Sequence, residues 1–131
     1  MKTTETRTVL MIEDEHSVRA IVAIYLENAG FKVLEAADAD EAMSVWHQQM
    51  GMIDVVLSDV LLGNVNASEV LSRFREDRPD LKVVLMSGGV PAPARNYNDE
   101  IGRFEFLRKP FTIDELLEAI GLAMGEMFVA R

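Results

Sequence analysis

With 131 residues, 49% of them hydrophobic, the chain is long enough to bury the core of one domain and too short for a two-domain arrangement. Its 22 acidic and 13 basic residues give a formal net charge of -9, which argues against a surface that binds the nucleic-acid backbone. The absence of cysteine excludes disulfides and thiolate chemistry, so the reducing cytoplasm is the expected compartment.

The N-terminal stretch MKTTETR has no apolar signal-peptide core, and no apolar run in the sequence is long enough to span a bilayer. From there the sequence alternates short β-rich runs with amphipathic helical stretches, the pattern of βαβ units around a parallel sheet. Strands are predicted at residues 7–12, 32–36, 82–87 and 104–108, with a central strand in the run IDVVLSD from residue 53. The pattern predicts an α/β fold of five strands and five helices.

The helical stretches are predicted from apolar spacing and from residues that cap helix ends. The first helix has a predicted buried face at five apolar positions: Val18, Ile21, Val22, Tyr25 and Leu26. Capping residues are predicted at the starts of the second, third and last helices: Asp38 or Asp40, Asn66 with Glu69, and Thr112 with Glu115. A fourth helix is predicted near residues 94–102, and the Met-rich tail at 124–129 is expected to pack locally.

Acidic residues follow the strands at one edge of the predicted sheet. The central strand ends in Asp59, and an ionised carboxylate there is costly unless a cation meets it. Other strand ends deliver Glu13, Asp14, Ser87 and Lys109 to the same edge, where ligands bind in open α/β sheets. Neighbouring carboxylates repel each other unless a divalent cation such as Mg²⁺ and an ammonium neutralise them. Because carboxylates can accept phosphoryl groups, these residues predict a phosphate site built around a carboxylate.

Four segments carry a resemblance to a known family: LMIEDE at 10–15, VVLSDVLLG at 55–63, VVLMSGG at 83–89 and FLRKPF at 106–111. In this order, on successive strand ends, they resemble the receiver domains of bacterial two-component response regulators. The resemblance covers about residues 8–124 and implies one receiver domain over residues 1–131 with no output domain. It implies a flavodoxin-like (βα)5 fold, a doubly wound parallel sheet of strand order 2-1-3-4-5.

The resemblance implies that Asp59 is the phosphoacceptor, which takes a phosphoryl group from a phosphohistidine on a partner protein. The implied cofactor is Mg²⁺, or Mn²⁺ in its place. Its direct ligands would be Asp14, Asp59 and the main-chain carbonyl of Leu61, while Glu13 would act through a water.

The resemblance also implies phosphoryl-binding and switch residues. Phosphoryl oxygens would be held by Ser87, by the main-chain N–H of Gly88 and by Lys109. Ser87 and Phe106 would form the switch, and Pro110 would support the turn after the lysine, often through a cis bond. The added dianion would thereby change the output surface.

The partners implied are a sensor histidine kinase or histidine phosphotransferase, and a downstream protein on the face of the fourth helix, fifth strand and fifth helix. Neither nucleic acid nor membrane is expected as a partner. Such a domain catalyses its own phosphorylation and slow dephosphorylation without being a classical enzyme. The alternative is a receiver-like interaction module that does not cycle phosphate. Both a stand-alone regulator and a receiver from a hybrid kinase fit the sequence.

The loop after the acceptor departs from the family pattern. Gly63 and Ala67 stand where the family usually has a proline and a glycine, so this loop is expected to differ in conformation. Leu61 and Gly89, two residues after the acceptor and after the serine, offer no polar group to orient a water. These residues predict a phosphoform that hydrolyses itself slowly.

Overall fold

Five parallel strands form one sheet in the computed structural model, which describes residues 6–88 and 101–129. The strands are β1 (Thr8–Ile12), β2 (Lys32–Ala36), β3 (Val55–Asp59), β4 (Lys82–Ser87) and β5 (Glu105–Arg108). Their order is β2-β1-β3-β4-β5, which confirms the predicted order 2-1-3-4-5. In the centre of the sheet, Leu10 of β1 lies opposite Val56 of β3, which lies opposite Val83 of β4.

Helices cover both faces of the sheet. The α-helices that lie entirely within the described residues are α1 (His16–Asn28), α2 (Ala39–Gln49), α3 (Ala67–Asp77) and α4 (Ile113–Met124). Because successive strand residues point to opposite faces, the central strands build two apolar layers. Val56 and Leu85 lie in the layer under α2 and α3, whereas Leu57 and Met86 lie in the layer under α1 and α4. Trp46 of α2 is fully buried in the first layer.

The caps of α2 and α4 agree with the predictions. The side chain of Asp38 accepts a hydrogen bond from the amide of Glu41 at 2.8 Å. At the start of α4, the hydroxyl of Thr112 accepts from the amide of Glu115, whose carboxylate accepts in turn from the amide of Thr112. This reciprocal capping box satisfies two donors that a helix start otherwise leaves unpaired.

One prediction about the helices is wrong, and a second is confirmed only in part. Ile21 was assigned to the buried face of α1, but it is 51% exposed. The buried stripe is centred on Val22 and Leu26, and Ile21 is turned away from its centre because each residue advances a helix by about 100°. Asn66 is the N-cap of α3, as predicted, but its side chain makes no capping hydrogen bond to the helix. Its backbone pairs with Leu61 in a hairpin. The helix predicted near residues 94–102 lies outside the described residues except at its end.

The tail after α4 packs back onto the domain, as expected. The helix ends at Gly125, which has a φ of 71°, and the amide of Glu126 donates to the carbonyl of Gly121 at 3.0 Å. The ring of Phe128 lies 4.9 Å from that of Phe31. A β-carbon at Gly121 would lie 2.5 Å from the carbonyl oxygen of Glu126, so this close approach depends on glycine. Across the described residues, every helix is too short or too polar to cross a membrane.

Candidate functional site

Three acidic side chains meet at the carboxyl edge of the sheet. Asp59 is the last residue of β3 and is 8% exposed, and Glu13 follows β1 and is 1% exposed. The amide of Glu13 donates to the carbonyl of Ala36 at 3.0 Å, which fixes the turn after β1 to the end of β2. Asp14 is exposed, and one carboxylate oxygen from each acid lies within 4.8 Å of the others. This cluster could hold a metal ion, as the strand ends predicted.

A single ammonium group links the two buried acids of the cluster. Lys109 follows β5, and its Nζ lies 2.7 Å from Oε1 of Glu13. The same Nζ lies 3.0 Å from Oδ1 and 3.1 Å from Oδ2 of Asp59. The amide of Lys109 donates to the carbonyl of Ser87 at 2.9 Å, and the bond from Lys109 to Pro110 is cis, as the resemblance implied. The hydrogen bond to Ser87 holds the backbone of the lysine beside the end of β4.

The pKa of Asp59 is raised from 3.8 to about 7, chiefly because burial disfavours the charged carboxylate. Its hydrogen bond to Glu13 raises the pKa further, whereas Lys109 lowers it. Burial alone would raise the pKa of Glu13, but hydrogen bonds from Asp59, Lys109 and the amide of Glu15 lower it overall. Burial alone would lower the pKa of Lys109, but the two carboxylates raise it. Of the two buried acids, Asp59 is therefore the one that binds a proton more readily near neutral pH.

The remaining predicted site residues lie around this cluster. Ser87 is the half-buried last residue of β4, and Gly88 follows it on the surface. A β-carbon at Gly88 would be 3.7 Å from Cβ of Lys109, so the backbone there runs beside the lysine. Phe106 of β5 is half-buried against the apolar layer under α2 and α3. The predicted residues of strands β3, β4 and β5 are thus neighbours at one edge.

The segment after Asp59 forms a short hairpin that was predicted only as a loop. Leu61–Leu62 pair with Val65–Asn66 across a two-residue turn. Gly63 has a φ of 66° and Asn64 does not have a positive φ, the combination of a type II′ turn, which favours glycine at its first central position. A proline could not adopt the φ of Gly63. The hairpin therefore explains the departure from the family pattern at this position.

The hairpin leaves the main-chain carbonyl of Leu61 outside its hydrogen-bond ladder. The amide of Ala67 donates to the carbonyl of Val60 at 2.9 Å, which brackets Leu61 and Asn66 as a non-hydrogen-bonded pair. The side chain of Leu61 is 58% exposed. The carbonyl predicted as a metal ligand is therefore not used by the hairpin.

Sequence reasoning missed two residues behind the acidic cluster. Arg19 of α1 donates from Nη1 to the main-chain carbonyl of Glu13 at 2.9 Å. Its Nε lies 3.3 Å from Oε1 of Glu35, which lies on β2. The signal in the sequence is an acid in the otherwise apolar end of the run KVLEA and an arginine on the amphipathic helix α1.

Comparison with known proteins decides the family. The sequence profile of the family described as response regulator receiver domain matches residues 9–121. The chain belongs to this family. The family is the one that the four sequence segments predicted. Membership supports the predicted phosphoacceptor role in two-component signalling and does not favour the non-cycling interaction module.

Individual relatives agree with this assignment. The chain is 35% identical over 114 residues to sensor kinase CckA of Brucella abortus, covering 86% of this chain and 12% of the kinase. It is 32% identical over 120 residues to the DNA-binding transcriptional regulator NtrC of Rhizobium meliloti, covering 91% of this chain and 24% of the regulator. A response regulator receiver domain from Clostridium thermocellum has a TM-score of 0.82 at 27% identity, covering 91% of this chain and 94% of that one. The chain thus spans a quarter or less of these two curated relatives and nearly all of the solved receiver domain.

Proposed function

We propose that Asp59 accepts a phosphoryl group from a phosphohistidine on a sensor histidine kinase or a histidine phosphotransferase. One observation carries this proposal: the ammonium group of Lys109 lies 2.7 Å from the carboxylate of Glu13 and 3.0 Å from that of Asp59, within a cluster of three acids. A buried carboxylate between a second acid and a lysine is paired with one positive charge and has capacity for another. The carboxyl end of β3 also lies at the edge of the sheet where ligands of such folds bind.

The transfer forms one bond and breaks one bond. A carboxylate oxygen of Asp59 attacks the phosphorus of the phosphohistidine as the phosphorus–nitrogen bond breaks, and the electron pair of that bond stays on the imidazole nitrogen. Asp59 must be ionised for this attack, and Lys109 favours the ionised form at a distance of 3.0 Å. Ser87, the main-chain N–H of Gly88 and Lys109 would hold phosphoryl oxygens of the product. Catalysis of this kind is mostly positioning and charge stabilisation.

The residues present fit a hard divalent cation, Mg²⁺ or Mn²⁺. Asp14, Asp59 and the main-chain carbonyl of Leu61 would be its direct ligands, and Glu13 would act through a water. All of these donors are oxygen atoms, which Mg²⁺ prefers, and the carbonyl of Leu61 is not part of the hairpin ladder. When bound, such a cation neutralises negative charge on the phosphoryl group and on the carboxylates.

The switch proposed for this domain is local. Phosphorylation adds a dianion beside Ser87 and Lys109, and the half-buried Phe106 lies on β5 three residues before the lysine. A downstream protein would bind the changed surface on the face that includes β5 and the last helix, α4 (Ile113–Met124). The formal net charge of -9 supports a protein target rather than nucleic acid.

We infer that the phosphoform loses its phosphoryl group slowly. Leu61 is 58% exposed at the rim of the site and offers no group that could orient an attacking water. The second position of this argument, Gly89, lies outside the described residues. A phosphoform half-life of seconds in Mg²⁺, followed after removal of the phosphodonor, would contradict the inference.

Intact mass spectrometry tests the proposed acceptor. The protein is incubated with acetyl phosphate and Mg²⁺, and the wild type is expected to gain the mass of one phosphoryl group. Asp59→Asn is expected to gain none, and EDTA is expected to prevent the gain in the wild type. A wild type that gains no mass would support the receiver-like interaction module instead. An unchanged gain in Asp59→Asn would place the acceptor elsewhere.

A further inference from the structure

The guanidinium of Arg19 joins three elements behind the acidic cluster. Arg19 lies on α1, its Nη1 donates to the main-chain carbonyl of Glu13 at 2.9 Å, and its Nε pairs with Glu35 of β2 at 3.3 Å. The side chain of Arg19 is only 15% exposed. The planar guanidinium group of Arg19 can donate hydrogen bonds in two directions at once. Arg19 therefore fixes the turn after β1 relative to β2.

The turn that Arg19 holds carries the exposed acid of the cluster. The side chain of Glu13 is already fixed by Lys109 and by the amide of Glu15, which donates at 3.0 Å. In residues 6–88 and 101–129, by contrast, no hydrogen bond or ion pair holds the carboxylate of Asp14. The direction of Asp14 therefore depends on the peptide that precedes it, and the oxygen of that peptide is the atom bound by Arg19.

We propose that Arg19 is a positioning residue for the metal ligand Asp14. Arg19 holds the peptide between Glu13 and Asp14, and this peptide aims the carboxylate of Asp14 at the cluster. Glu35 holds the same guanidinium group through its Nε atom and so fixes its orientation. The inference rests on the proposed function, because Asp14 is a ligand only if the acidic cluster binds a divalent cation.

The sign of the effect separates positioning from simple electrostatics. Arg19 carries a positive charge beside an acidic site, so its removal by charge alone would strengthen the attraction of the site for Mg²⁺. If Arg19 positions Asp14, its removal weakens Mg²⁺ binding, because the freed peptide no longer aims the ligand. Residues that orient metal ligands typically change metal affinity by about tenfold or more when they are removed.

Isothermal titration with Mg²⁺ in phosphate-free buffer measures the predicted change. Arg19→Ala is expected to raise the Mg²⁺ dissociation constant by about tenfold. Arg19→Lys keeps the charge and one donor and is expected to restore part of the affinity. Arg103→Ala removes an equal charge at the opposite edge of the sheet and is the matched control.

Urea unfolding of the same variants in EDTA separates positioning from stability. A purely structural role would lower the free energy of unfolding of Arg19→Ala and leave its Mg²⁺ dissociation constant unchanged, which would overturn the proposal. An increased Mg²⁺ affinity in Arg19→Ala would overturn it as well. If Arg19→Ala does not fold, the comparison of Arg19→Lys with the wild type decides, and an unchanged dissociation constant contradicts positioning.

Failure of the underlying function has a different signature. A wild type that neither binds Mg²⁺ nor gains a phosphoryl group removes the proposed function and the role of Arg19 with it. A wild type that does both, beside an Arg19→Ala variant of unchanged Mg²⁺ affinity, removes only the role of Arg19.

Discussion

Replacement of Asp59 by asparagine is expected to stabilise the metal-free protein while it abolishes phosphorylation. The pKa of Asp59 rises from 3.8 to about 7, chiefly through burial and then through its hydrogen bond to Glu13. Each pKa unit corresponds to about 1.4 kcal/mol, so ionising Asp59 costs the folded state about 4 kcal/mol relative to the unfolded chain. Lys109 lowers the pKa of Asp59, so the interaction that asparagine loses with this lysine is already contained in that cost. Asparagine keeps the shape without the charge, and the expected gain is therefore up to about 4 kcal/mol at about pH 8.

The pH dependence follows from the direction of the pKa shift. Between 3.8 and about 7 the folded state holds a proton on Asp59 that the unfolded chain has lost. The contribution of this group to stability is therefore greatest below 3.8 and is lost as the pH rises to about 7. The pKa of Glu13 is lowered, so its stabilising contribution is lost only as the pH falls through that lowered value. The advantage of Asp59→Asn is thus expected to grow between about pH 5 and about pH 8.

Urea unfolding in EDTA, followed by the fluorescence of the buried Trp46, measures this difference. The wild type and Asp59→Asn are compared at several pH values, and the slopes with urea must agree before the free energies are compared. A variant that is less stable than the wild type at about pH 8 would refute the reasoning. A gain in the free energy of unfolding that does not change with pH would show that burial does not destabilise the ionised carboxylate of Asp59.

Three further substitutions test other parts of the account. Lys109→Met removes the ammonium from the nearly buried Glu13 and is expected to lower the free energy of unfolding in urea by about 3 kcal/mol at neutral pH. Gly63→Ala places a side chain where φ is 66°, and we expect a loss of about 1 kcal/mol in the same assay. Gly121→Ala puts a methyl group against the main-chain carbonyl of the tail, and we expect faster hydrogen exchange at the tail amides. Gly51→Ala, which meets nothing within 4 Å, is its control.

Matched variants and opposite outcomes make these expectations specific. Lys82→Met removes a lysine at the other edge of the sheet, and an equal loss there would show that the effect of Lys109→Met is not local. Asn64→Ala changes the second residue of the turn, whose φ is not positive. A loss of stability as large as that of Gly63→Ala would therefore contradict the turn assignment. Unchanged exchange at Glu126 in Gly121→Ala would mean that the tail does not depend on the close approach.

The sheet and most of its edge could be predicted from the sequence because both follow from local patterns. Central strands buried on two faces show continuous apolar runs, and the acids that interrupt these runs mark the strand ends. These patterns therefore predict that Glu13 and Asp59 lie at one edge of the sheet. They predict the same for Lys109, which follows the last strand in the same way.

Other features depend on three-dimensional register, which the sequence does not display. The pairing of Arg19 with Glu35 requires that β2 lie beside β1, where Met11 is opposite Glu35. The exposure of Ile21 depends on how α1 is rotated against the sheet, and several apolar positions compete for that face. The hairpin after Asp59 was missed because Gly63 signals a turn without specifying its partner strands.

Chemical trapping of the phosphorylated residue tests the central claim most directly. The protein is phosphorylated with acetyl phosphate and Mg²⁺, reduced with borohydride, which converts an aspartyl phosphate to homoserine, and mapped by peptide mass spectrometry. The account predicts homoserine at position 59 and at no other acid of the cluster. Homoserine at Asp14 instead, or an intact aspartate at position 59 in protein that has gained a phosphoryl group, would contradict it.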